Sequence, residues 1–305
     1  MNKRLKRTRR KRTHKHLRKQ GAGGAMNNTS KKVLFCKLHA GLGNQLFIYA
    51  GALAIKDLLG MDMVIIKADN NTHSANDYTR YFKRGEFAKL SDVKERFDKA
   101  VKLPEKYGQN SPEFMSKLSE YKGADCKLEG VFYHSFKLVE PVIEIIRNDF
   151  VGELDRSYPN FKKSVLNNSS EDKFFFVHVR MGDFKNNGWA SPVEYYTSAL
   201  SIIENVAEVI YIISDDIDFC QKQINDKKWN SSKFRLFGDP DELKAMLLMS
   251  ICKGGAVLCS STFSWWGAMF GPHENKQSII IYPKGAEERN LTFPERTGQK
   301  WMTIP

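Results

Sequence analysis

No apolar run in this 305-residue chain approaches the length of a membrane span; the longest, Leu46 to Ile55, falls far short. The basic start is followed only by Gly21 to Ala25, too short and too weakly apolar to be the core of a secretory signal. Cysteine is scarce: there are five (36, 126, 220, 252 and 259), odd in number and without Cys-x-x-Cys spacing. That pattern speaks against a disulfide frame or a structural zinc site and fits reduced thiols in or near a core. The Asn-x-Ser/Thr triplets carry no meaning without secretion. Also missing are His-Glu-x-x-His, Gly-x-Ser-x-Gly, a metal-spaced His/Cys cluster and a Walker lysine. The expectation is a soluble, cytoplasmic protein.

Acidic residues are absent from positions 1–20, which hold eleven Lys or Arg. The whole chain carries +13, yet positions 21–305 have 37 basic against 35 acidic residues. The basicity thus belongs to a disordered tail, residues 1–30. Such a tail can touch nucleic acid or an anionic membrane surface, giving peripheral association, or act only as a solubilising arm.

The rest of the chain alternates. Val33–Leu38 reads as a strand, His39 to Asn44 as a turn, Gln45–Leu59 as a helix stopped by Gly60, and Met63–Lys67 as a strand. This is a βαβ unit with a Gly-rich turn at the carboxyl end of its first strand. Glu140–Phe150 reads as an amphipathic helix and Ser157–Lys173 as a linker. Alternation restarts with a strand at Phe174–Val179, a largely helical Ser191–Val206 and a strand at Val209–Ser214. A helix at Asp241–Ile251 and strands at 256–259 and Ser278–Tyr282 complete it. The pattern predicts an α/β chain of two Rossmann-like domains, 31–160 and 171–305, facing across a cleft.

Three segments end strands of the second half: His178 to Asp183, Ser214-Asp215-Asp216, and Ser260 to Ser264. In open α/β sheets ligands lie outside these strand ends, so the three should converge. They bring a guanidinium, carboxylates and a hydroxyl-rich helix start followed by Trp265-Trp266, which would anchor that helix to the sheet behind it. This set suits a nucleoside diphosphate: a helix start with Ser261, Thr262, Phe263 and Ser264 offers N–H groups and hydroxyls, and the planar fork of Arg180 matches phosphate oxygens. Taken singly, Arg180 fits a structural ion pair equally well, and His178 a core histidine. Asp183 fits a general base, a ribose partner or an Arg180 orienter. Gly41-Leu42-Gly43-Asn44 lacks the third glycine of the dinucleotide fingerprint and fits a ligand-free tight turn as well. Asp216-Ile217-Asp218 and Asp239-Pro240-Asp241 could hold a divalent cation, but their positions favour helix starts.

Taken in order, these motifs resemble the α-1,2-fucosyltransferases of glycosyltransferase family 11. Gly41-Leu42-Gly43-Asn44-Gln45-Leu46-Phe47 is similar to that family's first turn, His178-Val179-Arg180-Met181-Gly182-Asp183 to its HxRRxD motif, and Ser214-Asp215-Asp216 to its SDD motif. Leu128-Glu129-Gly130 and the stretch from Ser260 to Ala268 fit as well. Departures are Met181 for the second arginine, Tyr133 and His134 for Gln and Ser, and Cys259 for Asn. The resemblance implies a GT-B fold, GDP-L-fucose as donor, inversion at the anomeric carbon and no metal or other cofactor. It implies a galactose-terminated glycan as acceptor. It would put Arg180, Ser261, Thr262 and Ser264 by the diphosphate. His178 and Asp215 would lie by the nucleoside, with Asp215 or Asp216 on the guanine edge, and Gly41, Gly43 and Asn44 across the cleft. Arg180 and Asp183 are the catalytic candidates. Alternatives are a transferase using another GDP-sugar and a catalytically weak glycan- or RNA-binding protein.

Overall fold

Strand β1 (Val33–Lys37) is the hinge of the first of two sheets, and β6 (Phe174–Val179) of the second. The computed structural model describes residues 31–67, 78–104, 116–129, 133–167, 169–286, 291–294 and 300–305. The basic tail (1–30), Gly130 and Asn168 lie outside the described residues.

The first sheet joins β1 to β2 (Asp62–Ile66), β3 (Glu86–Ala88), β4 (Val101–Lys102) and β5 (Cys126–Leu128) in the order β3-β2-β1-β5-β4. The second joins β6 to β7 (Val209–Ser214), β8 (Phe234–Phe237), β9 (Gly255–Val257), β10 (Ile279–Pro283) and β11 (Lys300–Ile304) in the order β11-β10-β9-β6-β7-β8. Every described pairing is parallel. Counted from β6, the second sheet runs 3-2-1-4-5-6, the order of dinucleotide-binding folds. Two Rossmann-like α/β layers make the GT-B architecture. Strand β6, Phe-Phe-Phe-Val-His-Val, is buried at every position, as a parallel strand covered on both faces requires.

Helices are α1 (Leu42–Leu59), α2 (Leu90–Lys99), α3 (Phe136–Ser157), α4 (Phe161–Leu166), α5 (Gly182–Asn186), α6 (Val193–Ile203), α7 (Ile217–Asn225), α8 (Glu242–Ile251) and α9 (Thr262–Phe270). Helix α1 ends at Gly60, in the left-handed region with φ 66°, whose N–H bonds to the Lys56 carbonyl. It begins at Leu42, inside the stretch expected to be a turn, so Gly43 and Asn44 are first-turn residues. Strands β3, β4, β8 and β11 escaped the sequence reading.

The expected linker is packed structure. Helix α4 is bracketed by Asn160 and Asn167, both at positive φ, and sets Phe161, Val165 and Leu166 against the core, with Phe161 edge-on to Phe237 at 6.3 Å. The tryptophans also depart from expectation. Helix α9 meets α8 at Gly267, where a Cβ would lie 3.0 Å from Met249 Cβ. The large rings therefore occupy other sides: Trp265 and Trp266 pack on Phe47 of α1, with ring centroids at 4.6 and 5.1 Å, so they join one half of the molecule to the other. Phe150 of α3 stacks on Phe270 at 5.7 Å across the same seam. One apolar core thus runs from Leu34 under the first sheet to Ile280 in the second.

Removing a ring from this seam should weaken both halves together. Phe47→Ala is expected to cost ~3–5 kcal/mol, read as a lower urea midpoint by circular dichroism and tryptophan fluorescence alike. A variant in which the two signals separate, with one half unshifted, would contradict a shared core.

Candidate active site between the two sheet ends

Each sheet reverses strand order once: between β1 and β5 in the first, between β6 and β9 in the second. Chains leaving the strands beside a reversal diverge to opposite faces and leave a crevice. Here the two crevices face each other across a cavity of about 880 Å³. Gly41, Gly43 and Asn44 reach it from after β1 and His134 from after β5; His178 comes from the carboxyl end of β6 itself, Arg180 and Asp183 from after β6, Asp215 from after β7, and Ser261, Thr262 and Phe263 from after β9.

At the centre two helices begin against each other. A Cβ on Gly43 would lie 2.5 Å from the Phe263 nitrogen and 2.6 Å from the Thr262 carbonyl carbon, so only glycine lets α1 approach α9 this closely. The Thr262 hydroxyl donates to Asn44 Oδ1 at 2.9 Å, and His134 Nε2 lies 3.2 Å from the same oxygen. Ser261 is the N-cap of α9; its Oγ accepts from the Phe263 N–H at 3.2 Å. Two sets of first-turn N–H groups and two positive helix ends thus gather at one spot.

Arg180 stands beside them, gripped by two carboxylates. Asp183 Oδ1 accepts from its Nε and a terminal nitrogen at 3.1 and 2.8 Å, and Asp215 Oδ2 lies 3.2 Å from Nε. The other Asp215 oxygen accepts the Met181 N–H at 2.8 Å. Gly182 is needed for this: a Cβ there would sit 2.6 Å from Asp215 Oδ2. The guanidinium lies 5.6 Å from the Phe184 ring centre, and Trp189, 47% exposed, meets Phe184 edge-on at the rim.

Two sequence candidates do not reach the cavity. Ser264 is fully buried, and its hydroxyl donates to the carbonyls of Cys259 and Ser261 at 3.2 and 3.0 Å. Asp216 caps α7, accepting from the Phe219 N–H at 2.9 Å, so one of its oxygens holds a helix start. Asp241 does the same for α8 through Leu243 N–H at 3.0 Å. Met181 is buried among Val177, Val179 and Tyr195, so the missing second arginine leaves no gap in the cavity wall. Sequence reasoning missed Phe184, Trp189, Asp239 and Glu242 as lining residues. The signal for Trp189 was a lone tryptophan directly after the polar run Asn186 to Gly188; Asp239 and Glu242 were read only as parts of a turn and a helix. Among the described residues no group of three or more His, Cys, Asp or Glu gathers as a metal site.

His178 is buried at the cavity wall, its Nδ1 3.3 Å from Cys259 Sγ and its ring 5.5 Å from Phe263. Burial, and then the nearby Arg180 charge, lower its pKa to about 3, while burial pushes the Cys259 thiol up to about 12. Both are neutral near pH 7. Unfolding returns His178 to its ordinary value of 6.5, so below pH 6.5 the unfolded chain binds a proton that the native one refuses. Stability is expected to fall as pH drops from 6.5 towards 3, and His178→Gln to flatten that slope; equal slopes in urea titrations would contradict a neutral buried imidazole.

Comparison with known proteins accords with this geometry. Residues 23–302 match the model of Glycosyl transferase family 11. The O-antigen biosynthesis glycosyltransferase WbnK of Escherichia coli is 26% identical over 299 residues, covering 82% of this chain and 94% of that protein. An α-1,2-colitosyltransferase of Escherichia coli is 27% identical over 136 residues, covering 42% of this chain and 46% of its own length. Among solved structures, the fucosyltransferase NodZ from Bradyrhizobium superposes with a TM-score of 0.52 at 12% identity, over 80% of this chain and 94% of NodZ. NodZ α-1,6-fucosyltransferase soaked with GDP-fucose gives 0.51, over 79% and 93%. The cavity where two sheet crevices meet is therefore that of a glycosyltransferase, and the chain belongs to glycosyl transferase family 11.

Proposed function

We propose that this enzyme is an inverting fucosyltransferase that moves L-fucose from GDP-L-fucose to the 2-hydroxyl of a galactose in an acceptor glycan. One observation carries the reading: Arg180 and the paired starts of α1 and α9 surround one cavity, of a size that takes a sugar nucleotide. The GDP-fucose soaked into NodZ supports the donor, since NodZ shares the fold, and the linkage named for the colitosyltransferase supports attack by a 2-hydroxyl. NodZ itself is an α-1,6 enzyme, so the fold leaves linkage to the acceptor side.

The chemistry asks for positive charge at the leaving group. As the bond from fucose C1 to the diphosphate breaks, the sugar becomes oxocarbenium-like and the β-phosphate gains negative charge. In this reading the N–H groups at the start of α9, the Ser261 hydroxyl and Arg180 take up that charge, while the Thr262 hydroxyl is spent on Asn44. They are aligned before the reaction, so no reorganisation is needed when it runs. Asp183 and Asp215 hold the guanidinium in place, and Asp215 also fixes the turn behind it. Gly43 lets the start of α1 close on the start of α9, and Asn44 ties the two together. The nucleoside would lie by His178 and Asp215, beyond β7. These groups supply the charge that a metal supplies in other transferases, so we propose that none is required.

A second reading, transfer of another sugar from its GDP conjugate, has the α-1,2-colitosyltransferase relative in its favour. A panel of GDP- and UDP-sugars, with free nucleotide measured with and without lactose, separates the two. GDP-fucose with lactose is expected to give the highest rate, undiminished by EDTA. Arg180→Ala is expected to lower it ~10²–10³-fold, as loss of one preorganised donor does. Near-normal turnover by that variant would remove Arg180 from the mechanism, and a strict need for metal would overturn the metal-free reading.

A further inference from the structure

We infer that Trp189 is the platform on which the galactose of the acceptor stacks, an inference that rests on the transferase reading above. Of the five tryptophans, Trp229, Trp265 and Trp266 are buried and Trp301 is half-buried. Trp189 is exposed over 47% of its surface, and it lines the cavity. A large ring that water reaches over nearly half its area adds little to a core, so its place at the mouth of a site is informative.

The backbone under this ring is fixed. The Trp189 and Ala190 N–H groups both donate to the Phe184 carbonyl, at 2.8 and 3.2 Å, and Gly188 makes the turn before them at φ 68°. The ring meets Phe184 edge-on at 5.8 Å, and the Arg180 guanidinium lies over Phe184 in turn. Trp189 thus stands one ring away from the cation assigned to the leaving phosphate.

Topology decides which substrate the ring meets. The nucleoside is read beyond β7, on one side of β6. The chain that carries Trp189 leaves β6 the other way. It leads into α6, which packs over β9, β10 and β11, and there Tyr195 donates to the carbonyls of Leu258 and Ile281 at 2.5 and 3.3 Å. That is the side on which α9 begins, after β9. The ring therefore flanks the sugar end of the diphosphate, where fucose meets the incoming acceptor, and stands away from the base.

A galactopyranose suits an indole face. Its axial 4-hydroxyl leaves the C–H groups of C3, C4 and C5 as an apolar patch on the opposite face. Those slightly positive hydrogens are drawn to the negative face of an aromatic ring. The 2-hydroxyl projects from the edge of a sugar stacked in this way and stays open to fucose C1. Trp189 is thus an acceptor-binding residue that touches no reacting atom, and Phe184 positions it.

Trp189→Ala tests this, with circular dichroism to check that the variant folds. The KM for lactose should rise ~10-fold, the order expected for loss of one aromatic contact. The kcat at saturating lactose and the KM for GDP-fucose should stay within about threefold of wild type. Trp189→Phe, which keeps an aromatic face, should recover most of the loss, and Trp189→Leu should not. With GDP present, lactose should change the tryptophan fluorescence of the wild-type protein and leave that of Trp189→Phe unchanged. An alanine variant with the wild-type KM for lactose would overturn the assignment. So would one in which only the KM for GDP-fucose rises, which puts the ring on the base, or one in which kcat and both KM values change together, which makes it structural. A wild-type chain that consumes no sugar nucleotide would overturn the transferase reading instead.

Discussion

The backbones of α1 and α9 meet at Gly43 with no space for a Cβ, and most of the site depends on that contact. Bringing two helix starts together concentrates unpaired N–H groups and two positive ends, an arrangement that repels itself. The fold holds it by other means. Phe47 on α1 is buried against Trp265 and Trp266 on α9, and the Trp265 indole N–H donates to the Thr292 carbonyl at 2.9 Å. Asn44 and Thr262 add a hydrogen bond across the seam. Apolar burial thus offsets an electrostatic cost, and the result is a pocket onto which two helix starts open.

Arg180 extends the same logic. Asp183 and Asp215 fix the direction of its guanidinium. Residues that never reach the cavity keep this geometry: Ser264 ties the α9 start to its own loop, Asp216 caps α7, and Met181 roots the turn after β6 in the core.

Much of this was legible in the sequence because the strands of a parallel sheet are continuous apolar runs. β6 and β7 were read to the residue, and their carboxyl ends pointed to the cavity. The pocket-lining residues His178, Arg180, Asp183, Asp215, Ser261 and Thr262 were found for that reason. The features that were not legible depend on contacts distant in the chain. Strands as short as Val101–Lys102 carry no period. The tryptophans were assigned to the nearest sheet because local sequence cannot reveal that Gly267 gives that side to α8. Asp216 and Ser264 look like ligands beside Asp215 and Ser261; only the fold shows that their oxygens are used on the backbone. His134 stood out as a departure from family pattern, but its contact with Asn44 could not be read from the chain.

The most direct test of the account is a crystal structure with GDP bound. It should show the β-phosphate within hydrogen-bonding distance of the α9 start at Thr262 and Phe263, with the Arg180 guanidinium on the same oxygens. A diphosphate bound elsewhere, or one in the cavity that touches neither group, would contradict the claim that these two elements form one anion site.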